Sequence, residues 1–193
     1  MNLIALAKYF ENKTASKTTQ YVYHLKPNSF KGNIIYPLSK IENEFPSIYK
    51  KEINKYKGRE SHPETKIKLL DCKWKDCVIF STLNPIKIFQ LEKLLQIPGY
   101  KEVDDLEVFR FDIKDLKEKN MCLYDDDIGP KKDEAYSKIT ISSYKETQNI
   151  PIKTVKHFVD CKEKNEYPLL FGNIPHLLVK DEVDISKADI IKI

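Results

Sequence analysis

Glycine is scarce in this chain, with only five copies among 193 residues. The five are isolated from one another, at Gly32, Gly58, Gly99, Gly129 and Gly172. A phosphate-binding loop or dinucleotide-binding turn needs closely spaced glycines, because main-chain N–H groups must approach the phosphates. The sequence also lacks zinc-finger spacing, a calcium loop and a nucleophile elbow. Any nucleotide would therefore have to be held mainly by side chains.

Arginine is equally scarce, since only Arg59 and Arg110 occur among 33 basic residues. Arginine is the residue that suits bidentate capture of phosphate groups and base edges. The 33 basic and 29 acidic residues are interspersed along the chain and leave a formal net charge of +4. We therefore expect a solvated surface of mixed charge and no sequence-specific nucleic-acid partner.

The four cysteines, Cys72, Cys77, Cys122 and Cys161, do not predict a disulfide framework, because a chain of this length can build a core without one. The closest pair has the spacing C-x4-C, and no histidine follows it at zinc-finger spacing, so we expect reduced thiols and no metal. The amino-terminal residues lack the basic region and apolar length of a signal peptide, and no run is long enough to span a membrane. We predict a cytoplasmic protein with no membrane partner. Secretion by a signal-independent route would leave no mark in the sequence.

The composition predicts one packed domain, because 41% hydrophobic and 32% charged residues suit a sizeable core under a polar surface. Residues 1–19 are expected to form a short helix and a linker, and residues 20–193 a single domain. Helices are predicted mainly in the first half, at 38–43, 46–58 and 85–96. Strands are predicted at 21–25, 67–70, 77–80, 106–111, 121–124, 135–142, 154–159, 174–179 and 190–193. This order predicts an α+β fold with a split or strongly bent sheet, antiparallel or mixed.

Three short segments carry side chains suited to chemistry. Tyr23 and His24 lie on the first strand, where one imidazole nitrogen can bond a sugar hydroxyl while the other fixes the tautomer. Ser81 and Thr82 end a middle strand, and a hydroxyl offers one donor and two acceptor sites without charge. Glu134 leads a late strand after an acidic loop. Each segment also has a purely structural interpretation. His24 could be a histidine at the edge of a strand, Ser81 and Thr82 could cap the following turn, and Glu134 could be a solvated charge on a loop.

Two further side chains have open interpretations. Arg59 stands beside Glu60 and His62 after the second predicted helix, where a guanidinium could clamp a diphosphate or simply form local ion pairs. His176 interrupts the most apolar stretch of the chain, and we expect it to be a core histidine bonded to the main chain, with a role in a cleft as the alternative.

The order of these segments over residues 20–160 resembles the ADP-ribosyltransferase-like superfamily. The resemblance implies an NAD-using transferase, with Tyr23 and His24 binding NAD and Ser81 or Thr82 orienting its nicotinamide. It also implies that Glu134 holds the ribose 2′-hydroxyl and stabilises the positive charge that develops as nicotinamide leaves. His24 and Glu134 are then the expected catalytic residues. Asp133 and Glu146 are alternative positions for the carboxylate.

The chain departs from the superfamily pattern in three ways. No arginine begins the first motif, no paired carboxylates mark the third, and the carboxy-terminal segment has no counterpart. The stretches at 55–60 (K-Y-K-G-R-E) and 174–178 (I-P-H-L-L) are also similar to bacterial sequences that have no assigned activity, which implies a bacterial source. The acceptor, a macromolecule or a small molecule, stays open.

A second hypothesis is a non-enzymatic interaction module, in which exposed tyrosines and the acidic loop at 125–133 bind a protein partner. The two hypotheses differ in one geometric expectation. The enzyme requires His24, Ser81 and Glu134 to face one hollow, whereas the interaction module does not.

Overall fold

The computed structural model describes residues 20–28, 30–97, 106–125 and 130–192. The helix and linker predicted for residues 1–19 lie outside the described residues, and so does the middle of the acidic loop, at 126–129. The α-helices of the described part are α1 (Leu38–Glu44), α2 (Pro46–Ile53), α3 (Pro85–Leu95) and α4 (Ile152–Glu163). Its strands are β1 (Tyr21–Lys26), β2 (Ile34–Ile35), β3 (Lys66–Ile67), β4 (Cys72–Lys73), β5 (Cys77–Ser81), β6 (Glu107–Asp112), β7 (Met121–Tyr124), β8 (Tyr136–Lys138), β9 (His176–Lys180), β10 (Val183–Asp184) and β11 (Asp189–Lys192).

Seven strands form one sheet in the order β11-β6-β1-β5-β9-β7-β8, and all neighbours within it are antiparallel. Two small sheets pair β10 with β2 and β3 with β4. Three of the four described helices precede residue 97. The predicted α+β class, with helices mainly in the first half, is confirmed.

The main sheet is covered by apolar side chains on both faces, because successive residues of a strand point to opposite sides. Val78 and Phe80 of β5 belong to one buried cluster, and Cys77 and Ile79 belong to another. A third cluster joins α3 to α4. The helix α3 begins where the sequence predicts, because Asn84 Oδ1 accepts a hydrogen bond of 3.0 Å from the Ile86 N–H group.

One predicted strand is wrong, because residues 154–159 lie within helix α4. β-branched residues such as Val155 and Val159 favour the strand interpretation locally. The buried side chains of this helix are Thr154, Val155, Phe158 and Cys161. Their spacing of three and four residues places them on one helical face, which packs in the apolar layer beside α3.

Two other predicted strands are shorter than expected. In the segment 67–70, β3 ends at Ile67 and residues Lys68–Leu70 form a 3-10 turn. In the segment 135–142, only Tyr136–Lys138 pairs as β8. Glu134 itself lies in the 3-10 turn Asp133–Ala135, immediately before that strand.

Candidate functional site

The junction between β1 and β5 is the weakest main-chain pairing within the central part of the sheet. β1 pairs with β5 only at Tyr23 opposite Ser81, whereas six residue pairs join β1 to β6 and five join β5 to β9. We call this junction the seam and define it as Tyr21–His24 of β1 together with Ile79–Thr82 at the end of β5. Ionisable side chains bond to the main chain at both ends of it.

The carboxylate of Glu146 bonds to β1 at one end of the seam. Its Oε2 accepts a hydrogen bond of 3.2 Å from the Tyr21 main-chain N–H, and its Oε1 accepts one of 2.9 Å from the Tyr23 hydroxyl. The carboxylate therefore serves as the acceptor that a neighbouring strand would otherwise supply. Hydrogen bonds to a charged acceptor are stronger than neutral ones, so this contact fixes the position of the carboxylate.

Glu146 is held in place by contacts on both sides of the seam. Tyr144 donates a 2.7 Å hydrogen bond from its hydroxyl to the Tyr21 carbonyl. The Thr147 N–H donates to the Thr82 carbonyl at 2.9 Å. The segment that carries Glu146 is thus attached to β1 through Tyr144 and to the end of β5 through Thr147.

Burial makes the Glu146 carboxyl a stronger base than an ordinary glutamate. Burial raises its pKa, while the hydrogen bonds from Tyr23 and Tyr21 and the charges of Lys87 and Arg110 act in the opposite direction. Burial and the charge of Glu146 also raise the pKa of Tyr23. The Tyr23 hydroxyl therefore stays protonated and remains a donor.

His24 holds the other end of the seam. Its Nδ1 lies 2.9 Å from the Ile79 carbonyl oxygen, and its ring meets the Phe80 ring edge-on with centroids 5.6 Å apart. A carbonyl only accepts, so Nδ1 carries the hydrogen. Burial lowers the pKa of His24, so the neutral imidazole is favoured and Nε2 is its acceptor nitrogen.

A row of polar and aromatic residues crosses all seven strands at the level of the seam. Directly opposed residues point to the same face of a sheet, so the members of this row share one face. In spatial order the row consists of Asp189, Arg110, Tyr23, Ser81, His176, Tyr124 and Tyr136. His24, as the neighbour of Tyr23 in β1, points to the opposite face.

The hydroxyls of Ser81 and Thr82 are occupied by nearby groups of the protein. Ser81 Oγ donates to the Leu83 carbonyl at 2.8 Å and accepts from the Leu83 N–H at 3.1 Å. Thr82 Oγ1 donates to the Pro175 carbonyl at 2.7 Å and lies 2.7 Å from Thr147 Oγ1. Both residues are buried, and these bonds are those of a strand-end cap.

Glu134 lies away from the seam. It precedes β8, which is four strands from β1 in the sheet, a separation of about 19 Å at the usual strand spacing. The side chain is exposed and lines a surface depression of about 680 Å³. The other lining residues are Ser61, Glu64, Thr65, Lys66, Lys68, Lys131, Lys132 and Asp133. The structure therefore does not bring the three predicted residues to one hollow: the sheet order separates Glu134 from the seam, and His24 and Ser81 point to opposite faces of the sheet.

The contacts of Arg59 are local. It is exposed, donates from Nη2 to the Lys55 carbonyl at 3.2 Å, and places its guanidinium 5.5 Å from the Tyr56 ring centre. The other arginine lies beside the seam. Arg110 is opposite Tyr23 in the sheet, stacks 4.6 Å from the Tyr21 ring centre and donates to Asp189 at 2.7 Å.

The sequence places Tyr23, His24 and Ser81 correctly on strands, and it offers Glu146 only as an alternative carboxylate. No local pattern identifies Glu146, because residues 144–148 are neither helix nor regular strand. Its contacts with Tyr21 and Tyr23 span more than a hundred residues of sequence. Only the folded arrangement brings these groups together.

Within the described residues, no group of three or more histidine, cysteine, aspartate or glutamate side chains is arranged to hold a metal ion. No helix in the same part of the chain has the length and apolar character needed to cross a bilayer. The comparisons with known proteins found no matching family model, no similar curated protein and no similar solved structure.

Proposed function

We propose that the chain is an NAD-using enzyme of the ADP-ribosyltransferase-like kind, with its site at the seam and Glu146 as its carboxylate. One observation carries this proposal: the Tyr23 hydroxyl and the Tyr21 N–H fix a half-buried carboxylate where β1 and β5 part. Cleavage of a glycosidic bond needs a fixed anion beside a centre that becomes positively charged. Glu134, exposed at the far side of the sheet, has no comparable support.

In the proposed reaction, the bond between the nicotinamide nitrogen and the anomeric carbon of the ribose breaks, and its electron pair leaves with nicotinamide. A lone pair of the acceptor forms the new bond to that carbon, and the acceptor loses a proton. Glu146 stabilises the developing positive charge, and its raised pKa suits it to receive that proton. With water as the acceptor, the products are nicotinamide, ADP-ribose and a proton.

The remaining roles follow the contacts along the seam. His24 points to the opposite face of the sheet from Tyr23, so it acts as a positioning residue that bonds β1 to the Ile79 carbonyl. Arg110, which lies opposite Tyr23, is the arginine proposed for the diphosphate in place of Arg59. Ser81 and Thr82 act as positioning residues, because their hydroxyls hold the strand end and the Thr147 segment. The substrate would lie beside Glu146 on the face of the sheet that carries Tyr23 and Arg110.

The proposal is tested by incubating the purified chain with NAD and measuring release of nicotinamide, with a thermal shift as an independent measure of binding. Glu146→Gln should abolish nicotinamide release while leaving the circular dichroism spectrum unchanged. Glu134→Gln is the matched control and should retain activity. The two arginines provide a second pair: Arg110→Gln should weaken NAD binding, whereas Arg59→Gln should not.

Two results would overturn the proposal. One is a folded chain that neither binds nor consumes NAD. The other is loss of turnover in Glu134→Gln with full activity in Glu146→Gln.

The interaction-module hypothesis has less support from the described residues. Its aromatic anchors were expected to be exposed tyrosines, but Tyr23, Tyr124, Tyr136 and Tyr144 are buried. Tyr167 alone among the described tyrosines is a largely exposed aromatic side chain, at 56%. A single exposed tyrosine is a poor anchor for a protein interface.

A further inference from the structure

Cys72 and Cys77 lie against each other at a sharp turn between two strands. Cys72 begins β4 and Cys77 begins β5, and the 3-10 turn Trp74–Asp76 between them reverses the chain. The turn is stabilised by Asp76, whose carboxylate accepts a 2.8 Å hydrogen bond from the Lys73 N–H. As a result, the two sulfur atoms lie 3.6 Å apart.

The two thiols share one buried environment. Cys72 is 9% exposed and Cys77 is 4% exposed, and both pack with Trp74 and Leu178. Cys122 belongs to the same cluster and is fully buried. Cys161 lies elsewhere, on α4, and its sulfur is 3.8 Å from His157 Nδ1.

The pKa shifts and the exposures of the thiols together favour Cys72 as the attacking sulfur. The hydrogen bond from Cys77 lowers the pKa of Cys72, and the same contact, together with burial, raises the pKa of Cys77. Burial raises the pKa of Cys122 to about 12 and also raises that of Cys161. A lower pKa means more thiolate, and the thiolate is the reactive form. Cys72 is also the more exposed member of the pair, so it is the attacking sulfur.

We propose that Cys72 and Cys77 form a redox-active dithiol that low-molecular-weight disulfides oxidise to an intramolecular disulfide. The Cys72 thiolate attacks one sulfur of the small disulfide, and the other half leaves as a thiolate that takes up a proton. The Cys77 thiolate then attacks the Cys72 sulfur and expels the second half as a thiol. In total, two protein thiols and one small disulfide become one protein disulfide and two small thiols.

The new bond would tie β4 to the first residue of β5. The hairpin β3–β4 has only two residues in each strand, so its local opening gives the oxidant access to Cys72. Closure would then fix the turn that carries Trp74, whose indole N–H donates to the Tyr56 hydroxyl at 3.0 Å. The proposal does not depend on NAD chemistry.

The test is to incubate the folded, reduced chain with oxidised glutathione, block the remaining thiols, and map the peptides by mass spectrometry. The expected product has lost about 2 Da and contains a single Cys72–Cys77 crosslink, with Cys161 still reduced. Cys72→Ser should abolish the crosslink, while Cys161→Ser should form it at an unchanged rate. Circular dichroism of each variant establishes that it is folded.

The wild-type peptide map decides the proposal even if a variant fails to fold. A folded chain that stays fully reduced, while a denatured sample forms disulfides under the same conditions, would overturn it. So would a product that joins Cys122 to either partner, since that would make the close pair an accident of packing. Persistent mixed glutathione adducts at Cys72 without closure would equally count against an intramolecular disulfide.

Discussion

The pairing of β1 with β5 at the seam differs from the pairings that join β5 to β9 and β9 to β7. β5 and β9 share five residue pairs and β9 and β7 share four, and most of the paired side chains are apolar; the fully or almost fully buried ones include Val78, Phe80, Cys122, Leu177, Leu178 and Val179. At the seam, one residue pair is supplemented by the imidazole of His24 and the carboxylate of Glu146. We call β5, β9 and β7 the ladder block. The contrast indicates that ionisable side chains lie where strand pairing is short and side chains supply hydrogen bonds to the main chain.

The ladder block should be the more sensitive of the two regions to loss of volume. Leu177 of β9 is fully buried and lies opposite Phe80 and Leu123. We expect Leu177→Ala to lower the free energy of unfolding by about 2–5 kcal/mol, because it removes apolar contacts and leaves a cavity. Urea unfolding followed by circular dichroism measures this change.

Ile190→Ala on the edge strand β11 is the control for the ladder block, because Ile190 is 51% exposed. We expect it to change stability by no more than about 0.5 kcal/mol. Equal losses in the two variants would contradict a block that is held by buried packing.

Glu92 is a charged exception within the apolar helical layer. This residue of α3 is fully buried, its Oε2 has no hydrogen-bond partner among the described residues, and its Oε1 accepts from the Tyr167 hydroxyl at 3.2 Å. Burial raises the pKa of Glu92 to about 7, above its ordinary value of 4.5. A raised folded-state pKa means that stability is fully present below pH 4.5 and is lost as the pH rises through 7. We expect a loss of about 3 kcal/mol across that window.

Glu92→Gln should remove this loss, because the amide keeps an acceptor for Tyr167 but carries no charge. Urea unfolding between pH 4 and pH 8 measures the change. Tyr167→Phe is a second check: since the Tyr167 hydrogen bond lowers the pKa of Glu92, its removal should extend the loss of stability to higher pH. An unchanged pH profile in Glu92→Gln would show that other groups, such as those of the seam, dominate the titration.

The seam should respond most to loss of a hydrogen bond. Tyr23→Phe removes the hydroxyl that donates to Glu146 Oε1 at 2.9 Å but keeps the buried ring. We expect a loss of about 1.5–3 kcal/mol, the usual range for a hydrogen bond to a charged acceptor. Urea unfolding measures the loss, and amide exchange at β1 shows whether the seam opens locally.

Tyr144→Phe is the matched control at the same seam. It removes a hydroxyl that donates to the neutral Tyr21 carbonyl at 2.7 Å. The expected loss is about 1 kcal/mol, since the acceptor carries no charge. A larger loss in Tyr144→Phe than in Tyr23→Phe would mean that the Glu146 carboxylate does not stabilise the seam.

The same contrast explains what the sequence could predict. In the ladder block, apolar runs such as 77–80 and 174–179 predict strands, because burial on both faces sets their composition. In α4, the β-branched residues of 154–159 favour a strand locally. The segment is nevertheless a helix, because its buried face packs against α3. Local preference failed there because the competing signal, the spacing of the buried face, extends over twelve residues.

The candidate site was harder to predict for a different reason. Tyr23, His24 and Ser81 lie on patterned strands, so the sequence locates them. Glu146 lies in an irregular segment whose position depends on the long-range contacts Tyr144–Tyr21 and Thr147–Thr82. Such contacts produce no periodic pattern in the sequence. The sequence therefore favours Glu134, a carboxylate next to a predicted strand, over Glu146.

The prediction with the smallest expected change in stability compares the Glu134 and Glu146 carboxylates. Glu134 is exposed at the end of a short turn, so Glu134→Gln should change the free energy of unfolding by less than about 0.5 kcal/mol in urea titrations. Glu146→Gln leaves Tyr21 and Tyr23 with a weaker, neutral acceptor, so its loss should be larger. If the two variants were equally stable, the half-buried carboxylate would contribute nothing to holding β1 beside β5. The seam would then be only a gap in the sheet, and the geometric reason for choosing Glu146 over Glu134 would be lost.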